Sequence, residues 1–349
     1  MGVPPLVGAH EAMLRRLRDE LRKTLVTATS GTTAAALVDF PMHSNVGDLA
    51  IWAGELTILR QIGIRIEYVC DVYGYRRERL QAALGPDDPV LLQGGGNFGD
   101  LWPGFQRFRE RLIDDFPDRR IIQLPQTIYF GTQDAAARTS TVLARHGGVT
   151  LIVRDERSRR MARDWLGLDA SVCPDSAFAL TPAPPCPPVQ PVFWLRRTDR
   201  ERAECGTGPY PSDVEPVDWP DNPGFALLRD AGRVQGRVTG RAPVLGTAVD
   251  LGLRRLYESI ATRRLRLGLG MVARGRVLVT DRLHAHILAC LIGRPNVVVD
   301  SGYGKISAFV ERWTRSSPLV RSAASHDEGL ALARSWHGVE TSADVAPRE

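Results

Sequence analysis

An apolar run ends at Thr280, and Asp281, Arg282 and His284 follow at once before an apolar pattern of helical spacing begins. That order predicts a buried strand whose exit, and the helix start after it, carry a fixed cation and a titratable imidazole. A helix N-terminus has unpaired N–H groups and a partial positive charge, which suits an anion. Arginine adds a planar donor fork for carboxylate or phosphate, and histidine delivers a proton near neutral pH. The chemistry on offer is anion binding beside a proton donor. Residues two apart on a helix do not share a face, so His284 is the acid candidate and His286 is expected to pack or hydrogen-bond.

Other polar groups gather where strands should end. Asn45, Gly47 and Asp48 suit a tight turn before a helix whose free amides could hold a sugar or phosphate oxygen, although ordinary N-cap chemistry is the simpler account. Residues 94–99 hold four glycines directly after an apolar run. Three successive glycines are costly to order, which favours close approach to a ligand at Gly95, Gly96 and Asn97. Asp100 and Trp102 would give that loop a carboxylate and an aromatic wall. The stretch matches neither the dinucleotide fingerprint nor the P-loop. Gln126, Arg154 and Asp175 follow further strand candidates, and each alone fits a salt bridge or cap equally well. Together these strand ends describe a cleft. Lys305, after two glycines, is a compact cation suited to phosphate or to an ordinary surface turn.

The elements that must position these groups read as α/β. Strands are expected at 34–40, 65–70, 89–93, 120–124, 149–153 and 171–173, with helices at 49–62, 75–84, 105–116, 132–146 and 157–166 between them. Such alternation implies βαβ units and a parallel sheet covered on both faces. Residues 181–191 contain six prolines, which forbid helix and central strand and mark a linker. Beyond it come a strand at 192–196, a helix at 247–267, a strand at 276–280, a helix at 283–292, a strand at 296–299, a helix from about 306 and a last helix at 322–336. The expected division is an N-terminal domain (1–180), the linker (181–191) and a C-terminal domain (192–349), the last helix packing back on either. Two doubly wound, Rossmann-like domains facing a cleft make a GT-B-like architecture. Residues 199–245 carry no assignable pattern.

Composition narrows the class. No apolar run reaches eighteen residues and no signal-peptide block opens the chain, so a cytoplasmic protein is the expectation. The net charge is +5, with basic residues dispersed among acids, which excludes a nucleic-acid stripe. Lysine occurs only at Lys23 and Lys305, a bias that makes any one arginine uninformative. The five cysteines show neither zinc spacing nor close pairing, and no HExxH or carboxylate partner suggests a metal. The arginine-rich N-terminal helix could touch an anionic membrane, but a solvated amphipathic helix is the simpler reading.

As a set, the motifs NVGD (45–48), GGGNFGD (94–100), PQT (125–127), RDERS (154–158), PDSAF (174–178), LRRTDRE (195–201), TDRLHAH (280–286) and GYGK (302–305) resemble the polysaccharide pyruvyltransferase family, in the family's order. Ser301-Gly302 departs from the expected Asn-Ser pair. The resemblance implies transfer of the pyruvyl group of phosphoenolpyruvate to two sugar hydroxyls, giving a cyclic ketal and phosphate. The acceptor would be a polysaccharide or its lipid-linked oligosaccharide precursor, met at the inner face of the membrane. It assigns Arg154, Arg282 and Lys305 to phosphoenolpyruvate and His284 to protonation of its methylene carbon, with Asp100 orienting or deprotonating an acceptor hydroxyl. The acceptor would lie near Asn45, Asp48, Gly95, Gly96, Asn97, Trp102 and Gln126. Phosphoenolpyruvate is a co-substrate, and no metal, flavin or nicotinamide is required. A nucleotide-sugar glycosyltransferase and a non-catalytic sugar-binding assembly protein are the alternatives; the sequence does not speak to oligomeric state.

Overall fold

The computed structural model describes residues 5–198, 214–225, 246–300 and 305–336. The chain divides into two compact units, a large one (Glu20–Ala179 with Asp221–Thr262) and a small one (Met1–Asp19, Leu180–Pro220 and Arg263–Glu349). The sequence places a single crossing at the proline-rich stretch; in the structure the chain also changes unit near residues 19, 220 and 262.

The large unit is built on a parallel sheet of β1 (Ala34–Val38), β2 (Arg65–Cys70), β3 (Val90–Leu92), β4 (Gly95–Gly99), β5 (Ile121–Tyr129), β6 (Val149–Val153) and β7 (Ala170–Val172). Its helices are the end of α1 (Pro5–Ala28), then α2 (Val46–Gln61), α3 (Arg77–Ala83), α4 (Pro103–Asp115), α5 (Gln133–His146) and α6 (Glu156–Met161). A π turn (Ala162–Leu166) extends α6. Successive strand residues face opposite sides, so a strand covered on both faces is apolar throughout. Ala35, Leu37, Leu91, Ile122 and Ile152 enter the core beneath α2, together with Tyr257 and Ala261. Ala36, Val38, Val90, Leu92, Leu151 and Val153 enter the opposite core with Leu112, Ile113 and Val142.

The strand order β2-β1-β3-β5-β6-β7 reverses direction between β1 and β3. In open parallel sheets, such a reversal opens a crevice beyond the carboxyl ends of the two strands. Here Asp39 follows β1 and Gln93 follows β3. The glycine-rich stretch, expected as a loop, is strand β4, which takes over from β3 alongside β5: Val90–Leu92 pair with Ile121–Gln123, and Gly95–Gly99 with Gln126–Tyr129. Both backbone conformation and close packing demand glycine here: Gly95 and Gly99 have φ of 127° and 125°. A Cβ at Gly99 would lie 1.6 Å from the Tyr129 carbonyl oxygen.

The small unit has a parallel sheet in the order β11-β10-β9-β8 among the described residues, from β8 (Gln190–Leu195), β9 (Gly275–Thr280), β10 (Asn296–Val299) and β11 (Val320–Ala323). Its helices are the end of α7 (Gly246–Ala273), then α8 (Leu283–Leu291), α9 (Lys305–Phe309) and α10 (His326–Arg334). The sequence assigns 322–336 wholly to helix; the first of these residues belong to β11, and Ser325 caps α10 by accepting from Glu328 N. Leu330 and Ala333 seat α10 on Val279, Val299 and Ala323 of its own unit. No helix among the described residues is long and apolar enough to cross a membrane.

Candidate active site

Asp39, which the sequence reading passed over, lies at the centre of the large unit's polar groups. Among the described residues it alone, glycine apart, has positive φ (72°), a strained setting of the kind that collects at functional sites. Its side chain is fully buried and Oδ1 has no hydrogen-bond partner. Oδ2 takes a long bond from Asn97 Nδ2 (3.5 Å) and lies 3.9 Å from the Arg109 guanidinium. Burial pushes this carboxyl up to about 7 against the pull of Arg109 and Asn97.

Arg109, equally buried, donates to three amide oxygens: Gln123 Oε1 at 2.7 Å, Gln106 Oε1 at 2.8 Å and Asn97 Oδ1 at 2.8 Å. The Phe98 ring lies under it at 4.5 Å, and burial lowers its pKa to about 10. Gln126, also buried, donates to the same Asn97 oxygen at 2.9 Å. Two donors on Oδ1 fix the orientation of the Asn97 amide, which turns its NH2 toward Asp39. Asn97 is only half-buried, so it presents this network outward.

The first turn of α2 joins the same crevice. Asn45 caps the helix, accepting from Gly47 N at 3.0 Å and donating to Asp48 Oδ2 at 2.8 Å. Gln93 donates to the Asp48 carbonyl at 2.8 Å and so ties the exit of β3 to this turn. Gly95, at φ 127°, passes so close that a Cβ there would be 3.4 Å from Asp48 Oδ1 and 3.8 Å from Gln126 Oε1. His43 stands 3.6 Å from Asp48 Oδ2, with its ring edge against Phe105. Below them the fully buried Glu55 accepts from Gly94 N at 2.7 Å, and burial holds its carboxyl well above the usual range. Asn45, Asp48, Gly95, Asn97 and Gln126 therefore come together, as their spacing suggested.

Other candidates fall elsewhere. Asp100 is exposed at the far end of β4 and accepts from Gly131 N at 2.8 Å, outside this cluster. Gly96 is half-buried and Trp102 is 37% exposed at the start of α4. Arg154 is buried, not poised on the surface: Nη1 pairs with Asp175 Oδ2 at 2.5 Å, while Nε and Nη2 donate to Thr127 Oγ1 at 3.2 and 2.9 Å. Its charge is matched inside the fold.

In the small unit, Arg282 precedes α8 as its N-cap and grips Asp218 with two bonds, Nε to Oδ1 at 2.5 Å and Nη2 to Oδ2 at 2.6 Å. Asp218 also accepts from Thr198 N and Oγ1 and from Trp219 N. Burial raises its pKa, but Arg282 and these donors outweigh that and hold it below the ordinary carboxylate range. Asp281 accepts from Arg197 N at 2.8 Å and lies 3.5 Å from His326 Nε2, whose Nδ1 accepts from the Trp194 indole at 3.1 Å. The strand-to-helix corner is thus braced on both sides.

The two histidines of α8 separate as their spacing requires. His284 is half-buried in the first turn. His286 is fully buried, donates from Nδ1 to Asn296 Oδ1 (2.6 Å) and accepts at Nε2 from Thr314 Oγ1 (2.9 Å). Burial lowers its pKa to about 4, which keeps it neutral. The side chain of Lys305 and residues 302–304 lie outside the described residues. Among the described residues, no group of three His, Cys, Asp or Glu side chains is placed to hold a metal ion.

Sequence reasoning missed Asp39, His43, Arg109 and Asp218. Asp39 is the first polar residue beyond β1 and His43 precedes the Asn45–Asp48 turn, so both could have been found as polar groups at that strand's exit. Asp218 lies in the stretch without pattern.

With parallel α/β units and polar groups at strand exits established, the chain matches the family description "Polysaccharide pyruvyl transferase" over residues 45–303. It belongs to the polysaccharide pyruvyl transferase family, a family of transferases. Pyruvyl transferase 1 of Schizosaccharomyces pombe is 30% identical over 332 residues, covering 88% of this chain and 77% of that one. EpsO of Bacillus subtilis is 28% identical over 303 residues, covering 84% and 89%. A crystal structure of an uncharacterised Klebsiella pneumoniae protein superposes with a TM-score of 0.57 at 15% identity, over 88% of this chain and 99% of that one. That last likeness is one of fold.

Proposed function

We propose that the chain transfers the pyruvyl group of phosphoenolpyruvate to two hydroxyls of a sugar in a polysaccharide or its lipid-linked precursor, giving a cyclic ketal and phosphate. The observation that carries the reading is the corner Thr280–His284, inside the matched span: a guanidinium held side-on by Asp218, followed by a half-buried imidazole in the first turn of α8. In the reaction, His284 protonates the methylene carbon of phosphoenolpyruvate, and C2 gains oxocarbenium character. One hydroxyl oxygen bonds to C2, phosphate leaves with its bridging oxygen, and the second hydroxyl closes the ketal. Of the two hydroxyl protons, one balances the proton added to carbon and the other leaves with phosphate.

Arg282 supports the anionic donor, and Lys305 is assigned to it by sequence alone. Arg154, sequestered by Asp175, acts as a brace for Thr127 and the end of β6. On the acceptor side the reading uses Asn45, Asp48 and Asn97, with Asp39 and Arg109 orienting Asn97. The test is phosphate release from phosphoenolpyruvate across a panel of nitrophenyl and lipid-linked glycosides. Acceptor-dependent release supports the reading; sugar transfer from a nucleotide donor overturns it.

A further inference from the structure

The proposed reaction removes a proton from each attacking hydroxyl, and Asp100, the base expected from the sequence, lies outside the polar crevice. Within the crevice, Asp39 and Glu55 are wholly buried and reach no surface. His43 differs. It sits in the turn between β1 and α2, pinned by its own N–H to the Pro41 carbonyl at 2.8 Å. Its side chain is 38% exposed and lies 3.6 Å from Asp48 Oδ2, a carboxylate oxygen that Asn45 Nδ2 also holds.

We infer that His43 is the general base for the acceptor hydroxyl, with Asp48 as its positioning residue. The inference rests on the pyruvyl-transfer reading and adds to it the group that receives the proton. Asp48 faces Nε2, so it favours the tautomer with Nε2–H toward the carboxylate and leaves Nδ1 as the acceptor. Base–carboxylate pairs are often loose before substrate binds, so 3.6 Å is a workable resting distance. Among the described residues, the charged group facing the imidazole is Asp48; from α4 the Phe105 ring stands perpendicular to it, with centroids 6.1 Å apart. Burial lowers the histidine's pKa, which favours the unprotonated ring a base needs, and Asp48 opposes this. The switch-point location supplies the third element. Asn97, in the middle of β4 beyond the end of β3, and Gly95, whose backbone passes Asp48, border the same crevice. In the step, the hydroxyl oxygen bonds to C2 while its proton passes to His43 Nδ1, which later releases it to the departing phosphate or to water.

The experiment compares wild type, His43→Gln, His43→Ala and Asp48→Asn with phosphoenolpyruvate and a glycoside that the wild type pyruvylates. It reads kcat/KM for acceptor from pH 5 to 9, with thermal melting as a folding control. The wild type should lose rate on the acid side as His43 protonates. His43→Gln should fall by ~10²–10⁴-fold and lose that acid limb while still melting cooperatively. Added imidazole should restore part of the His43→Ala rate, and Asp48→Asn should raise the acceptor KM less than it lowers kcat. A His43→Gln enzyme within about threefold of wild type, with its acid limb intact, overturns the role of His43 and leaves pyruvyl transfer standing. A wild type that forms no ketal with any acceptor overturns the pyruvyl-transfer reading, and the base assignment with it.

Discussion

Asp39 and Arg109 face each other across 3.9 Å, both almost wholly buried, yet the guanidinium gives its hydrogen bonds to the amide oxygens of Gln123, Gln106 and Asn97. The pair is electrostatically linked without a direct hydrogen bond, and Asn97 is the bridge between them. Such a pair is a poor stabiliser and a good orienter: desolvation offsets much of the attraction, while the geometry of the amide between the charges is held tightly.

Asp39 should therefore make stability depend on pH in a particular direction. Its carboxyl is raised from 3.8 to about 7, so between those values the folded chain holds a proton that the unfolded chain has lost. Stability from this group is full below 3.8, declines as pH rises to about 7, and is flat above; the decline amounts to as much as about 4 kcal/mol. Melting curves of Asp39→Asn should lack that slope. Parallel curves for variant and wild type from pH 4 to 8 would contradict the raised carboxyl.

Arg109→Ala leaves Asp39 without its cation and three amide oxygens without their donor. Removing one partner of a buried pair costs ~3–5 kcal/mol, which denaturant titration should recover. A loss below about 1 kcal/mol would mean that the network is decorative.

The helix α8 histidines should part company in opposite assays. His284→Gln is expected to lower kcat by ~10²–10⁴-fold with little change in melting. His286→Gln should keep most activity and lose the acid sensitivity that His286 confers. The folded pKa of His286 is depressed from 6.5 to about 4, so its stability is present above 6.5 and lost as pH falls through that window, by about 3 kcal/mol. Equal kinetic effects from the two variants would undo the assignment.

Much of this was legible in the chain. Strands β1 and β3 were apolar at successive positions because both faces are covered, and Asn45–Asp48, Asn97 and Gln126 were singled out as polar groups beyond apolar runs, although Asn97 and Gln126 lie within β4 and β5. The glycines at 94–99 misled for a physical reason: Gly94 and Gly99 pack against the Pro125 and Tyr129 carbonyls, so a strand looked like a loop. Asp100 misled for the same reason, since a strand carries it away from the crevice. Arg154 looked like a cleft cation because Asp175, its partner, is twenty-one residues along the chain. Pairings at such a distance leave no local pattern. Asp39 carried no motif at all; its significance lies in a backbone angle and in burial.

Arg282→Lys keeps the charge and gives up the fork that Asp218 holds. With its cation no longer held in place by the two bonds to Asp218, binding of phosphoenolpyruvate, measured by calorimetry, should weaken about tenfold, which is roughly 1.4 kcal/mol. An unchanged Kd would remove Arg282 from the donor's site.

The most direct test of pyruvyl transfer is a single product spectrum from a reaction run in D2O with phosphoenolpyruvate and a glycoside acceptor. Pyruvyl transfer gives a cyclic ketal across two sugar hydroxyls, one deuterium in its methyl group from protonation at the former methylene carbon, and one phosphate released per ketal. Phosphate without a ketal, or an unlabelled methyl group, would contradict it.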